Sequence, residues 1–580
     1  MLSDIFAQFQ SRFIPNHSKP GFLDPSTRDA AISAIDKGVG AAMQFVRSLL
    51  TCRNTLMPIS LLPAEILSRV FHFLALEELP LSEERNVGWI RVTHVCRHWR
   101  QVALSDSSLW ARISDNGMGI GRDVDTTLIF EMLIRAKNAA LEIDLDLMYA
   151  NPNPMHMFAP HLSHTRALRL CGLDESDSEG VREIFNREAP ALEYFELDFY
   201  VGSPVTFQDL GRTTLFKGHA PKLRSFCIHQ VCIPWSFIPH GQLTQLKIDC
   251  RAEPYEGDTP TLGNGRQFID MLVDCPALEI LVLDLCLPND LSQSSPGRVV
   301  HLPRLSRLSI GDSTSRVTDL LKSLRIPSNT VLHLRCISDF GSPDDDYDIL
   351  PLVFAQFQIS APVEFKSLKV TKYKVNLEIA ASASLDPSIV QSSIVPGEGI
   401  YSDAEFFLSS FRLVHVGHRR QLLEETRNIL PISNLEFLSI SGFSTRDPDE
   451  PINWAELFKG CTNVTTIQAI GRDTSDFIRA LTPATDGSGT SAIPAPGRII
   501  FPNLTSLLLK DLDFTEIKPH SESGVLYELH EVLANVLRQR ISTHNVHIKK
   551  VHLERCIIPV KRAKGLKKLV TDFRWDKKEN

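Results

Sequence analysis

The sequence predicts a mixed α/β protein in two parts: a small all-α module, then an irregular solenoid whose curved parallel sheet carries helices and loops on its outside. Two patterns carry this expectation. Between residues 58 and 113, large apolar side chains recur at steps of three and four, the period of a helix face. From about residue 127 to 556 a different figure recurs: apolar, two of any kind, apolar, one of any kind, apolar. The centres of its first eight copies lie 20 to 35 residues apart. Short strand plus helix at that period is what a leucine-rich solenoid requires. Length points the same way, because 580 residues are too many for one core, whereas stacked units bury their leucines only against neighbours.

Composition narrows the class. Hydrophobic residues make up 43% and charged residues 22%, which excludes global disorder. A net charge of −8 argues against a protein that coats nucleic acid. No stretch approaches 18 uninterrupted apolar residues, so no membrane span is expected. The opening MLSDIFAQFQSRF has an acid at Asp4 and no basic head before an apolar block, unlike a secretory signal. Eleven cysteines, none in a CxxC pair, read as free thiols of a reducing compartment, cytoplasmic and/or nuclear.

In chain order, residues 1–57 are expected to supply a helical support segment. Ala30, Ile32, Ile35, Val39, Met43, Val46 and Leu50 set its period, Asp24-Pro25-Ser26 starts it, and it should pack on the neighbouring helical module. In residues 58–113, Pro63 suits the first turn of a helix and Glu65 complements its positive end. Ile66, Leu67, Val70, Phe71 and Leu74 are read as one broad apolar face. A second helix comes after the polar Ser82–Asn86 stretch, with Val92, Val95, Cys96, Trp99, Val102 and Ala103 at helical steps, and Leu109 and Trp110 close the block.

The strand figure is clearest at Phe195, Phe226, Leu246, Leu281, Leu308, Leu438, Ile467, Leu507 and Val551, with weaker copies at Ile143, Leu168, Leu332 and Leu368. Loop insertions are expected near 382–399 and 481–497, both rich in Ser, Ala, Pro and Gly. The acidic run Asp344–Asp348 reads as a solvated loop, and 557–580 as a basic C-terminal tail carrying Lys561, Arg562, Lys564, Lys567 and Lys568.

Two short helices cannot hide so many large apolar residues against each other, and a surplus of that size marks an interface. The run Leu62-Pro63-Ala64-Glu65-Ile66-Leu67, then Val70-Phe71-His72-Phe73-Leu74, Val95-Cys96-Arg97-His98-Trp99-Arg100 and Leu109-Trp110 resembles an F-box in order and spacing. The remainder looks like the leucine-rich-repeat domain that often accompanies one. The resemblance implies a substrate-recognition subunit of an SCF-type ubiquitin ligase. Its F-box would dock on the adaptor subunit, and through it on a cullin, while the repeats bind an unknown protein target. Carried onto this chain, it places Leu62, Pro63, Ile66, Leu67, Val70, Phe71, Val95, Cys96, Trp99 and Leu109 at or beside the adaptor. The polar Pro80–Gly88 segment departs from the leucine-rich helix the family often has there.

Strand alternation would place Glu142, Asp144, Asp146, Glu196 and Asp198 on the inner sheet face as an acidic region for a basic target, with a mixed lining from Lys247 to His552 beyond. Reactive chemistry is not expected. Gly119-Ile120-Gly121 and Gly263-Asn264-Gly265 lack a third glycine, and the His161/His164 and His415/His418 pairs lack further ligands. Gly487-Ser488-Gly489 has no strand-to-helix elbow around it, and Cys96 on an apolar helix face would be inert. The chain is therefore read as no enzyme, without metal or cofactor. Two other readings stay open: an F-box scaffold outside ubiquitination, and a nucleic-acid-associated protein acting through the basic tail.

Overall fold

A computed structural model describes residues 25–80, 87–115, 126–148, 154–200, 205–206, 214–250, 263–294, 296–337, 364–373, 376–386, 432–442, 452–471, 474–483, 499–515, 517–519 and 526–576, with short pieces between 352 and 430. Contacts divide the chain into two units: Met1–Met157 with His164–Ala167, and Phe158–Ser163 with Leu168–Asn580.

The first unit is helical before it is stranded. Helix α1 (Pro25–Thr55) starts at the Pro25 read as its signal. Its apolar face, however, stays exposed: Ile32, Ile35, Val39 and Val46 are not covered by the described residues of their own unit, which corrects the expectation of a support helix. A 3-10 turn (Pro58–Leu61) leads to α2 (Ala64–Glu77), which Pro63 precedes as its cap residue, its carbonyl accepting from the Ile66 and Leu67 amides. The next apolar run is not one helix. It forms a 3-10 helix (Gly88–His94), an extended break at Cys96, and α3 (Arg97–Ser105). A last 3-10 turn (Ser107–Trp110) leads into β1 (Arg112–Ser114). After α4 (Thr126–Ala136), β2 (Leu141–Asp146) pairs with β1 in parallel, Ile113 opposite Ile143.

β3 (Thr165–Leu173) spans the change of unit. In the second unit the strands are β4 (Tyr194–Phe199), β5 (Ser225–His229), β6 (Gln245–Asp249), β7 (Ile280–Asp284), β8 (Arg307–Ser313) and β9 (Val331–Ile337). From β4 to β9 each pairs in parallel with the next in sequence. The register explains why the apolar figure recurs. Phe195, Phe226, Leu246, Leu281, Leu308 and Leu332 stand opposite one another, and so do Leu197, Ile228, Ile248, Leu283, Ile310 and Leu334. Both rows are buried. In four of these figures the first residue is a turn residue: the amides of Leu192, Leu223, Leu278 and Leu305 each bond the carbonyl three residues back. Helices α5 (Ser178–Phe185), α6 (Gly265–Val273) and α7 (Thr314–Ser323) occupy intervals between strands.

The regular order then breaks. β9 pairs not with β10 (Ser367–Tyr373) or β11 (Asn376–Ser382) but with β12 (Phe406–Phe411). β11 lies antiparallel between β12 and β10, and β10 returns to parallel pairing with β13 (Phe437–Ser441). This splice accounts for the irregular spacing after residue 332. From β13 the sheet resumes in sequence order through β14 (Thr466–Ile470), β15 (Ser506–Lys510) and β16 (Lys550–Glu554). Before β16 lies α8 (Leu529–His544), whose Arg540 is fully buried and donates to the carbonyls of Leu481 and Ile500, each at 3.0 Å, and of Phe501.

The basic tail expected at 557–580 is corrected over its described part. α9 (Val560–Lys567) buries Ala563 and Leu566, and β17 (Asp572–Trp575) pairs in parallel with β16. Phe573 and Trp575 continue the two apolar rows, opposite Val551 and Leu553, so the tail is one more unit of the sheet. Of the expected insertions, the described part of 382–399 includes Ser393–Val395, paired antiparallel with Gly399–Tyr401 apart from the large sheet. Most of 481–497 lies outside the described residues, as do Asp344–Asp348, Gly119–Gly121, His415, His418 and Gly487–Gly489. The ten described cysteines are all free thiols. Cys250, Cys286, Cys461 and Cys556 donate to backbone carbonyls, and burial pushes the Cys461 and Cys556 thiols up to about 11.

Candidate functional site

Helix α2 has two apolar stripes where the sequence suggested one face. Leu67 and Phe71, four residues apart, are 0% and 1% exposed and form the core of the block, with the Trp99 ring 5.3 Å from that of Phe71. Ile66, Val70 and Phe73 follow the same step one position out of phase and are 42%, 46% and 67% exposed. Leu61 precedes this outer stripe and Val95 is 55% exposed. Of the residues read as adaptor contacts, Pro63, Ile66, Val70 and Val95 are exposed and Leu62, Cys96 and Trp99 half-buried. Leu67, Phe71 and Leu109 are withdrawn: their atoms are enclosed by the block itself and offer a partner nothing to touch. Leu61 and Phe73 escaped the sequence reading, although Phe73 is in step with Ile66 and Val70 and could have been found by it.

The rest of the block holds this helix in place. Trp89 and Trp110 meet edge to face at 4.9 Å, the Trp110 indole donates to the Ala103 carbonyl at 2.9 Å, and the Arg135 guanidinium lies over the Trp110 ring. Of the Pro80–Gly88 segment, 81–86 lie outside the described residues, and Gly88 at its end has a structural reason. Its φ is +49°, and a Cβ there would meet the Glu78 carbonyl at 2.6 Å, where the Trp89 amide already bonds. Cys96 is not on a helix face. It caps α3, its Sγ accepting from the Trp99 amide at 3.5 Å.

Ser68, His72, Asp106 and Ser108 converge, and they are not a nucleophilic triad. Asp106 Oδ1 accepts from the Ser108 amide at 3.1 Å, while Oδ2 accepts from Ser68 and lies 3.1 Å from His72 Nε2. Ser108 Oγ reaches that same Nε2, at 3.2 Å, so acid and hydroxyl share one nitrogen instead of flanking the ring. Burial pushes the Asp106 carboxyl up, but the hydrogen bonds from Ser108 and Ser68 and the nearby His72 outweigh it and hold it below its ordinary 3.8. The cluster is a cap that ties α2 to the turn carrying Leu109 and Trp110.

On β2, Leu141, Ile143 and Leu145 are buried and the expected Glu142, Asp144 and Asp146 alternate with them. Glu142 is exposed and pairs with Arg166 at 3.3 Å. In the second unit, Glu196 is already engaged, by Arg169 at 3.1 Å and by the Tyr194 hydroxyl. Burial raises the Asp198 carboxyl, whereas Glu196 stays below its ordinary range because Tyr194 and Arg169 outweigh its burial. Asp249, Asp284 and His333, read as lining residues, are buried. Strands about 4.8 Å apart bring side chains of one row into contact, so mid-sheet the polar face closes on itself. Asp284 and Arg335 form an ion pair across β8, where Gly311 stands between them in the register.

Among the described residues, Glu528, His530 and Glu531 alone gather metal-ligand atoms, within 4.8 Å of one another. The Arg562 guanidinium donates to Glu528 at 2.8 Å and supplies the positive charge an ion would bring. No described helix is long and apolar enough to cross a membrane.

Residues 59–116 match the family model for F-box-like domains. The first unit carries an F-box-like domain. The match takes in α2, the Asp106 cap and the three tryptophans Trp89, Trp99 and Trp110, and covers about a tenth of the chain. No curated protein matches this chain.

Proposed function

We propose that this protein is a substrate receptor of an SCF-type ubiquitin ligase, docking on the adaptor through the outer stripe of α2 and presenting a target through its sheet. The observation that carries the reading is the stripe itself. Ile66, Val70 and Phe73 stand exposed on a helix whose adjacent stripe, Leu67 and Phe71, is packed, inside the segment that matches an F-box-like domain. An apolar contact of this kind, with exposed rim residues around it, suits a stable assembly.

The sheet supports the second half of the proposal. Strands that pair in sequence order, four of them led in by a buried turn leucine, are what a leucine-rich-repeat solenoid would present. Glu142, Asp144 and Asp146 would favour a target with basic groups at that end. The protein would form and break no bonds itself; it would act by proximity, raising the concentration of target lysines at the partner enzyme.

The test is capture of purified adaptor by the full chain. Replacing Ile66 and Val70 with Asp puts two charges into the contact, and each lost anchor is worth about 2 kcal/mol, so affinity should fall by roughly a thousandfold. Both side chains are exposed, so thermal unfolding should barely move. Undiminished capture would overturn the reading. Recovery of a cullin with the adaptor supports the ligase, and recovery of adaptor alone would leave a scaffold.

A further inference from the structure

Helix α1 is 31 residues long, about 46 Å. Its large apolar side chains lie bare along that length: Ile32, Ile35, Val39, Val46 and Leu49 are between 44% and 52% exposed. A helix whose apolar face nothing among the described residues packs against is marginal in water, because most helical stability in proteins comes from burying an apolar stripe. It is also joined firmly to the turn that leads to α2, the Ser60 hydroxyl donating to the Asn54 carbonyl at 2.6 Å.

The spacing says what kind of surface this is. Ile32, Ile35, Val39, Ala42, Val46 and Leu49 recur at steps of three and four without a slip, which places them at the seam positions of a heptad repeat. The first seam position of each heptad is β-branched (Ile32, Val39, Val46) and the second is Ile35, Ala42 and Leu49, so the last heptad, Val46 with Leu49, has the combination that favours two parallel strands. In a parallel, in-register pair, the flanking residues of one helix would face those of the other as Gly38 with Met43, and Phe45 with Leu50. Between Ile32 and Leu49 no like charges meet across the seam. The seam from Ile32 to Leu49 is 18 residues, about 27 Å, bounded by Arg28 and Arg53 at the next seam positions, so two helices would bury roughly 900 Å² between them, the size of a weak, concentration-dependent interface.

We infer that α1 is a self-association element: it pairs in parallel and in register with α1 of a second copy of this chain, giving a dimer with two F-box-like domains and two sheets. The inference does not rest on the docking role proposed above. Where that role holds, a dimer would engage a repeated or clustered target with avidity.

Sedimentation equilibrium of the full chain at about 1–50 μM tests this, with an expected mass of twice 65.0 kDa. Val39→Glu with Val46→Glu should return the mass of one chain and leave the unfolding of the remainder unchanged, since both sites are exposed. In a Cys52→Ser background, Ala42→Cys places two thiols at one seam layer and should oxidise to a covalent dimer. A wild-type chain that stays single throughout overturns the inference. So does a dimer that survives both glutamates, and a dimer that Ala42→Cys fails to link, which would not be parallel and in register.

Discussion

At the scale of single residues, Asp106 shows how much one side chain can organise. It caps the turn that buries Leu109 and Trp110 and holds α2 through Ser68 and His72. Removing it as Asp106→Ala should cost about 1–2 kcal/mol, the worth of a good cap, read as a lower midpoint in urea. Because its folded pKa lies below the ordinary 3.8, the stability it contributes is complete above the unfolded value. That stability should drain away as pH falls through the folded value. Stability of the wild type should therefore decline below about pH 4.5 more steeply than that of Asp106→Asn; identical pH profiles would remove the carboxylate from this role. The sequence reading does not single out Asp106. Its partners lie more than thirty positions upstream, and no local pattern announces them. Arg540 was missed for the same reason: a buried cation held by three distant carbonyls through its two terminal nitrogens looks like any surface arginine until the fold is known.

At the scale of elements, α2 and β8 each carry two faces that periodicity alone does not separate. Steps of three and four group Ile66, Leu67, Val70 and Phe71 together, yet a rotation of about 100° per residue sends Leu67 and Phe71 inward and Ile66 and Val70 outward. Only the position of Trp99 decides which stripe is core. On β8 the apolar face was plain from Leu308 and Ile310, while Gly311 on the other face drew no notice. A Cβ at Gly311 would land on the Asp284 carboxylate and 2.9 Å from Arg335 Nε, so this glycine leaves room for an ion pair to close over its strand. Gly311→Ala should lower stability by about 2–4 kcal/mol. The loss should shrink when Asp284 and Arg335 are first replaced together by Ala, which empties the space the Cβ would enter. A loss of equal size in that background would show that the pair has no part in it.

At the scale of the whole molecule, the sheet runs in sequence order except at the splice, and its far end is the expected basic tail. Ending the chain after Pro559 would strip α9 and β17, uncover Val551 and Leu553, and bare the hydrogen-bonding edge of β16. Such a chain should unfold at a lower temperature and self-associate on size-exclusion chromatography, whereas ending it after Asp576 should change neither. A free tail would tolerate both cuts alike. The splice was hidden for a physical reason: strand alternation reports which face a residue takes, not which strand lies beside it. Leu377 and Ile379 on β11 alternate as well as any copy of the figure, yet the strand runs antiparallel between β12 and β10.

Although β17, whose figure is Val570, Phe573 and Trp575, was hidden among the basic residues around it, the sequence by itself determined the F-box-like block and the position of most strands that carry the apolar figure. Those are local properties, written in the period of apolar residues along the chain. The tertiary structure alone decided which apolar stripe of α2 is free, that α1 lies bare, and that the last residues close the sheet. These depend on what packs against each face, and the groups that do the packing come from residues far away in the chain.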